Sequence, residues 1–333
     1  MIKKNFSLQK YNTFGFDIKA DYFVEFKSVD ELKSLNFDFK KNKFFILGGG
    51  SNLLFTKDFN GLVIKSINNE INIIGETDNY IYLKVGAGYI WDDFVKYCVD
   101  NNYGGCENLS LIPGTVGASA IQNIGAYGVE AKDIISKVFV YDLVNHTQKI
   151  FKNDYCLFNY RYSIFKRFEN KSLLVTDVEF KLTKNNHNYN TDYGAVKQKI
   201  SGKEVNLQNI RQAIIEIRQS KLPDVDKIGN AGSFFKNPVI EQNKFNELKE
   251  KFTDIIFYEL PDNKYKLAAG WLIEQCGFKG FKYKNAGVYD KQALVLINRG
   301  NATPNEIIEL SDKIIETILQ KYSIKLESEV IFI

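Results

Sequence analysis

Between residues 112 and 128 the chain reads IPGTVGASAIQNIGAYG. Its four glycines, Gly114, Gly117, Gly125 and Gly128, constrain the fold more than any other stretch. Thr115, Ala118, Ser119 and Ala120 lie between them. With no Cβ, or a small one, the backbone N–H groups of such a loop approach a ligand closely. Successive amides of this kind make a concave anion site suited to a diphosphate. A second cluster, GGGSN, occupies residues 48–52 after the apolar run FFIL. Tight turns and close packing would explain either cluster alone. Two of them, both rich in amide donors and hydroxyls, point to one large phosphorylated cofactor.

Neither cluster carries a common nucleotide fingerprint. GAGYIW at residues 86–91 begins as G-x-G-x-x-G, but Trp91 stands at the third glycine, which excludes a standard Rossmann turn. No G-x-x-x-x-G-K-[ST] occurs, so a P-loop is excluded as well.

The chain has 333 residues, enough for two or three domains. Its 44% apolar and 25% charged residues are a soluble globular balance. The net charge of +4 is small, and the basic residues, such as Lys40, Lys41, Lys282 and Lys284, form no stripe. Nucleic acid is therefore not an expected partner. MIKKNFSLQKYNTFGF lacks the apolar region of a secretory signal, and no run reaches the ~20 apolar residues of a membrane span. A cytoplasmic protein is expected, with no membrane partner. Cys98, Cys106, Cys156 and Cys276 lie far apart without a C-x-x-C, so buried free thiols are expected and no metal site. His146 and His187 sit in polar stretches that look like hairpin tips. A Ser-His-Asp hydrolase needs a base packed beside its nucleophile, and these are poor candidates.

Periodicity marks the elements. DYFVEF alternates as a strand, and SVDELKSL opens a helix with Ser28 as N-cap. Ile81, Leu83 and Val85 form one face of a strand, and IWDDFVKYCVDN a helix. Strands prevail from Lys137 to Lys184. Leu207, Ile210, Ile214 and Ile217 share one helical stripe. KLPDVDKIGNAG then breaks the chain near Leu222. KLAAGWLIEQCG reads as a helix, ALVLIN as a buried strand, and Thr303, Pro304 and Glu306 as a capping box opening the last helix. KLESEVIFI is expected to close the chain as a strand with Glu327, Glu329, Ile331 and Ile333 on one face. Strand-rich and helix-rich segments alternate irregularly, so the class is α+β.

NTFGF, LGGGSNLL, ENLSLIPGTVGASAIQNIGAYGVE, NYRYSIFK, KLPD, GNAGSFFKNP, KLAAGWLIEQCGFKG, QALVLIN and LESEV follow one another in order. Together, from Asn12 to Glu329, they closely resemble the UDP-N-acetylenolpyruvoylglucosamine reductases, FAD enzymes of bacterial peptidoglycan precursor synthesis. The resemblance implies the three-domain FAD-binding fold of vanillyl-alcohol-oxidase-like (PCMH-type) flavoproteins. Residues 1–67, joined by the last strand 326–333, and residues 68–220 would hold FAD, and residues 221–325 the substrate. It implies NADPH as hydride donor, a UDP sugar as the small-molecule partner, and a monomer.

The resemblance also implies roles. On the FAD side stand Gly48, Gly49, Gly50, Ser51, Asn52, Gly114, Thr115, Gly117, Ala118, Ser119, Asn123, Gly125, Tyr127 and Gly128. Arg161 contacts the substrate carboxylate, Ser233 gives the proton, and Glu329 acts with the arginine. Tyr160, Tyr193, Lys221, Asn237, Tyr258, Lys279 and Gln292 match substrate-side positions, and Tyr193 puts the chain in the branch of the family whose tyrosine-bearing loop folds over the substrate. Asn159 and Tyr162 flank the Tyr160–Arg161 pair where relatives usually carry a small and an acidic residue. Chemically, an enol ether accepts hydride only if its carboxylate absorbs the developing charge, which calls for a cation beside it. A donor must also reach the carbon to be protonated. Two readings compete with the family one: another FAD oxidoreductase on the same scaffold, and a non-catalytic nucleotide-binding protein.

Overall fold

A computed structural model describes residues 1–333. The chain divides into two compact units. One comprises Met1–Phe6, Lys19–Gly50 and Phe59–Arg218; the other Ser7–Ile18, Ser51–Asp58 and Gln219–Ile333.

The first unit holds two large sheets and one two-stranded hairpin. In one, Phe59–Ser66 runs between Lys19–Phe26 and Phe44–Leu47, parallel to both, with Lys3–Ser7 at the outer edge. Alternation puts Val24, Phe26, Leu62 and Ile64 on one face, where they pack against Leu32 and Phe39. Leu32 comes from the helix Val29–Lys33, whose N-cap Ser28 accepts from the Glu31 N–H as its sequence expects. The same core takes Tyr141, Leu143 and Leu174 from the second sheet. That shared core is why the segments on either side of residue 67 form one unit rather than two.

The second sheet is antiparallel, in the order Thr147–Lys152, Ile135–Asp142, Leu173–Thr183, Tyr80–Gly86 and Ile71–Glu76. One face, including Ile81, Leu83, Val85, Val178 and Phe180, packs under the helices Trp91–Asp100 and Val116–Gln122. The helix Leu207–Lys221 splits its stripe: Leu207 enters that core, while Ile210, Ile214 and Ile217 pack with Val196 and Ile200 of the short helix Gly194–Ile200.

In the second unit Gly229–Ser233, Val295–Asn298, Ala286–Val288 and Lys282–Tyr283 form an antiparallel sheet. The helix Pro304–Tyr322 buries Ile307, Leu310, Ile314 and Ile318. Its capping box is complete: the Thr303 hydroxyl accepts from Glu306 N at 3.3 Å, and the Glu306 carboxylate from Thr303 N at 2.8 Å. A small sheet of Val239–Glu241, Lys264–Leu267 and Phe257–Leu260 carries the helix Gln242–Lys251.

Three local expectations change. The terminal strand is short and switches partners. Ser328 bridges Phe235, whereas Ile331–Phe332 pairs with Leu53–Leu54, a pair that lies in the second unit. His146 does sit at a hairpin tip, but His187 folds back on Gly104, its Nδ1 2.6 Å from Thr183 Oγ1. Cys98, Cys106 and Cys156 are buried free thiols; Cys276, the C-cap of the helix Ala269–Gln275 just before the left-handed Gly277, is only half-buried. No helix is long and apolar enough to cross a membrane.

Candidate active site

In the first unit the two glycine clusters meet. A Cβ on Gly49 would stand 2.6 Å from Gly114 Cα, and one on Gly48 would stand 3.0 Å from Ala118 Cβ and 3.4 Å from Thr115 Oγ1. Gly50 and Gly114 take φ of 69° and 127°, which side chains rarely adopt. The two loops therefore touch backbone to backbone, a contact that a Cβ on Gly49 would break.

The members of the clusters do different work. The Val116 and Gly117 N–H groups donate to the Tyr89 and Ala87 carbonyls, each at 2.9 Å. Gly117 is small because a Cβ there would meet Ala87 Cβ at 2.8 Å. Ser119 and Asn123 are buried. The Ser119 hydroxyl donates to Val116 O at 2.7 Å. Asn123, left-handed at the helix end, donates to Glu130 and to the Asn159 carbonyl, each at 3.0 Å, and accepts from Lys132 N. As placed, these four residues shape the loop.

Asn123 thereby reaches the turn that carries Arg161. Asn159 and Tyr162 exchange two backbone hydrogen bonds of 3.0 Å, closing a two-residue turn over Tyr160 and Arg161. The Asn159 carboxamide accepts from Tyr160 N, and the Tyr162 hydroxyl from Arg167 Nε, so both unusual flanking residues have structural tasks. Arg161 takes φ of 53°, a strained value for a residue with a side chain. Its guanidinium donates to Gly125 O at 3.0 Å and lies 5.4 Å from the centre of the Tyr160 ring. A Cβ on Gly125 would come within 3.3 Å of the guanidinium.

Gly125 opens the hairpin Gly125–Ala126 to Val129–Glu130, turned by Tyr127 and Gly128, both with positive φ. Tyr127 meets Tyr193 edge to face, with centroids 5.4 Å apart. The residues that clamp this corner escaped the sequence reading. Buried Asn108 donates to the carbonyls of Tyr127 and Asn190, and Asn190 donates to Gly128 O. Arg218 donates to Leu111 O at 3.2 Å and hydrogen-bonds Tyr127. Burial pushes the Arg218 guanidinium down, opposed by Tyr127 and Asp92. Arg211 grips Asp92 with two bonds of 2.7 and 2.9 Å. Burial alone would raise the Asp92 carboxyl; Arg211 and the Leu111 N–H outweigh it and hold the carboxyl below its ordinary range. A helix arginine normally reads as solvated, so no local pattern announces this network.

In the second unit Ser233 ends the strand Gly229–Ser233 opposite Val295, just past a bulge and the left-handed Gly232. The next carbonyl, of Phe234, accepts from Glu329 N at 2.8 Å, and the Asn52 carboxamide donates to Glu329 O at 3.1 Å. Thus Ser233, Glu329 and Asn52, far apart in sequence, are drawn together. Asn237 accepts from Ala269 N at 3.0 Å, capping the helix Ala269–Gln275, and Gln292 lies over Gly270 of the same helix. Lys279 is exposed and pairs with Glu274 at 2.9 Å; Lys221 is exposed at its helix end; Tyr258 packs under Lys266, on the small sheet.

Residues 223–333 match the model of the UDP-N-acetylenolpyruvoylglucosamine reductase C-terminal domain, and residues 20–150 that of an FAD binding domain. The chain is similar to proteins named UDP-N-acetylenolpyruvoylglucosamine reductase from Flavobacterium johnsoniae (46% identical, covering 99% of this chain and 98% of that one) and Bacteroides fragilis (46%, 100% of both). A third, from Neisseria gonorrhoeae, is 42% identical over 98% of this chain and 96% of its own. The crystal structure of the reductase of that name from Thermus caldophilus has the same fold, with a TM-score of 0.71 over 100% of this chain and 99% of the other at 20% identity.

Proposed function

The chain belongs to the UDP-N-acetylenolpyruvoylglucosamine reductase family and is an FAD-dependent oxidoreductase of peptidoglycan precursor synthesis; on that premise we propose the reaction and the residues that carry it. The substrate is UDP-N-acetylglucosamine enolpyruvate, the product UDP-N-acetylmuramate, and the electron source NADPH. The enzyme acts as a single chain in the cytoplasm. When bound, FAD supplies the hydride, from its N5 to C3 of the enolpyruvyl group.

The protein's residues do the rest. The cradle of Gly48, Gly49, Gly50, Gly114, Thr115 and Ala118, with Ser51 and Asn52, holds the FAD diphosphate on backbone amides. Arg161 presents a planar fork to the substrate carboxylate, held ready by its bond to Gly125 O. Glu329 is its companion on the carboxylate. Ser233 delivers the proton to C2, so hydride and proton add across one double bond. Lys221 and Lys279 offer charge to the UDP diphosphate. Asn237, Gln292, Tyr160, Tyr193 and Tyr258 line the remaining substrate contacts.

The observation that supports the proton assignment most directly is the bond from Glu329 N to Phe234 O. It brings the backbone that carries Ser233 against the backbone that carries Glu329, the two segments to which the proton donor and its electrostatic partner are assigned.

Replacing Ser233 by Ala tests the assignment. Flavin reduction by NADPH should proceed normally, while reoxidation by the enolpyruvyl substrate should slow by about 10²–10⁴-fold, the usual worth of a placed general acid. Stopped-flow flavin absorbance reads both halves. Fast reoxidation in the variant overturns the donor role. Rapid turnover with oxygen and indifference to the UDP sugar would favour a different oxidoreductase on this scaffold.

A further inference from the structure

Lys65 lies in the middle strand of the parallel sheet, opposite Leu47 on one side and Glu25 on the other. Leu62 and Ile64 face the apolar core, so Lys65 falls on the opposite face, in phase with Val63. Val63 and its partner Phe23 are both fully buried. Lys65 itself is half-buried beside them, so its ammonium is partly withdrawn from water and gains from a partner. Its Nζ donates 2.8 Å to the carbonyl of Gly48, the residue that opens the GGGSN loop. Burial pushes its ammonium down from the ordinary range, and the Glu25 carboxylate pushes it partly back. Glu25 is shared with Lys3 at 3.4 Å. The strand Phe44–Leu47, residues 48–52 and residues 114–118 contribute no charged group. The positive charge under the loop is therefore only partly neutralised.

The bond also sets a direction. In a planar trans peptide the C=O and the following N–H point to opposite sides. With the Gly48 carbonyl held toward Lys65, the Gly49 N–H is turned the other way. We propose that Lys65 is a positioning residue for the diphosphate of FAD: it orients the Gly48–Gly49 peptide and lends the loop a positive charge. The proposal rests on the reading that residues 48–52 hold that diphosphate.

FAD release from the holoenzyme on dilution, followed by recovery of flavin fluorescence from neutral pH up to the ordinary lysine pKa of about 10.4, tests it. A charged Lys65 favours the anionic diphosphate, so wild-type affinity should fall as pH rises through the lowered pKa. Lys65→Met should raise the FAD Kd tenfold or more and abolish that pH dependence. Lys65→Arg, charged throughout, should keep most of the affinity and also lose the pH dependence. Glu25→Gln removes the group that raises the pKa, so the fall in affinity should begin at lower pH. This variant decides the matter should Lys65→Met fail to fold. A wild-type Kd in Lys65→Met overturns the proposal, as does a raised Kd with the pH dependence intact, which would mark Lys65 as structural only. Gly49→Ala tests the loop itself: strong FAD binding in that variant overturns the loop reading and the proposal with it. Loss of FAD in Gly49→Ala but not in Lys65→Met sinks the Lys65 role alone.

Discussion

Arg161 sits in a left-handed turn with its guanidinium on Gly125 O, a geometry that fixes the direction of its planar fork. Ser233 and Arg161 stand in segments whose residues carry a family pattern. Nothing local says that Arg161 occupies a left-handed turn or that Gly125 O receives its guanidinium. That geometry yields a prediction. Arg161→Lys keeps the charge but loses the planar fork, and a lysine ammonium cannot reproduce two parallel bonds to a carboxylate. The half-reaction with substrate should slow by about 10²-fold, the scale of losing one donor aimed at a developing anion. Flavin reduction by NADPH and the flavin spectrum should be unchanged. A variant as fast as wild type would show that only charge at this position matters. Lys65 is the opposite case: only the register beside Leu47 and Glu25 places its half-buried ammonium under the glycine loop.

At the scale of elements, periodicity and caps carry most of the information. Ser28, the Thr303–Glu306 capping box and the stripe from Leu207 to Ile217 all appear where the pattern puts them. Each signal there lies within a turn or two of the residues it governs. The terminal segment shows the limit. Alternation in KLESEVIFI indicates a strand but not its partner, and the segment pairs first with Phe235 and then with Leu53–Leu54. The corner carrying Tyr193 is a second example, because its clamp spans from Asn108 to Asn190. Asn108→Ala leaves two carbonyls, of Tyr127 and Asn190, without their donor. Both acceptors are half-buried, so each orphaned carbonyl costs less than the ~1–3 kcal/mol of a fully buried one. Amide exchange around residues 127–128 and 190–193 should accelerate, and KM for the UDP sugar should rise while FAD content holds. Unchanged exchange would show that the edge-to-face contact of Tyr127 with Tyr193 suffices to hold the corner.

At the scale of the whole chain, the two units carry different parts of the expected chemistry. All expected FAD-side residues except Ser51 and Asn52 lie in the first unit, with Arg161, Tyr160 and Tyr193; Ser233, Glu329 and most substrate-side residues lie in the second. The sequence break near Leu222 is close to where the second unit resumes at Gln219. The partition before it was not legible, because a core shared by Val24, Leu62, Tyr141 and Leu174 leaves no mark on local composition. Each unit also holds one tryptophan, buried Trp91 in the first and Trp271 in the second. Trp271→Phe therefore turns Trp91 into a reporter of the first unit, and Trp91→Phe does the converse. A ligand that binds only the folded state stabilises it by about 2.7 kcal/mol at a hundredfold excess over its Kd. FAD at that excess should shift the Trp91-reported unfolding transition by close to this amount. The Trp271-reported transition should move less, since few FAD-side residues belong to its unit. Equal shifts at both reporters would mean that cofactor binding and unfolding are shared by the entire chain. A shift confined to Trp271 would place the dinucleotide on the wrong set of residues.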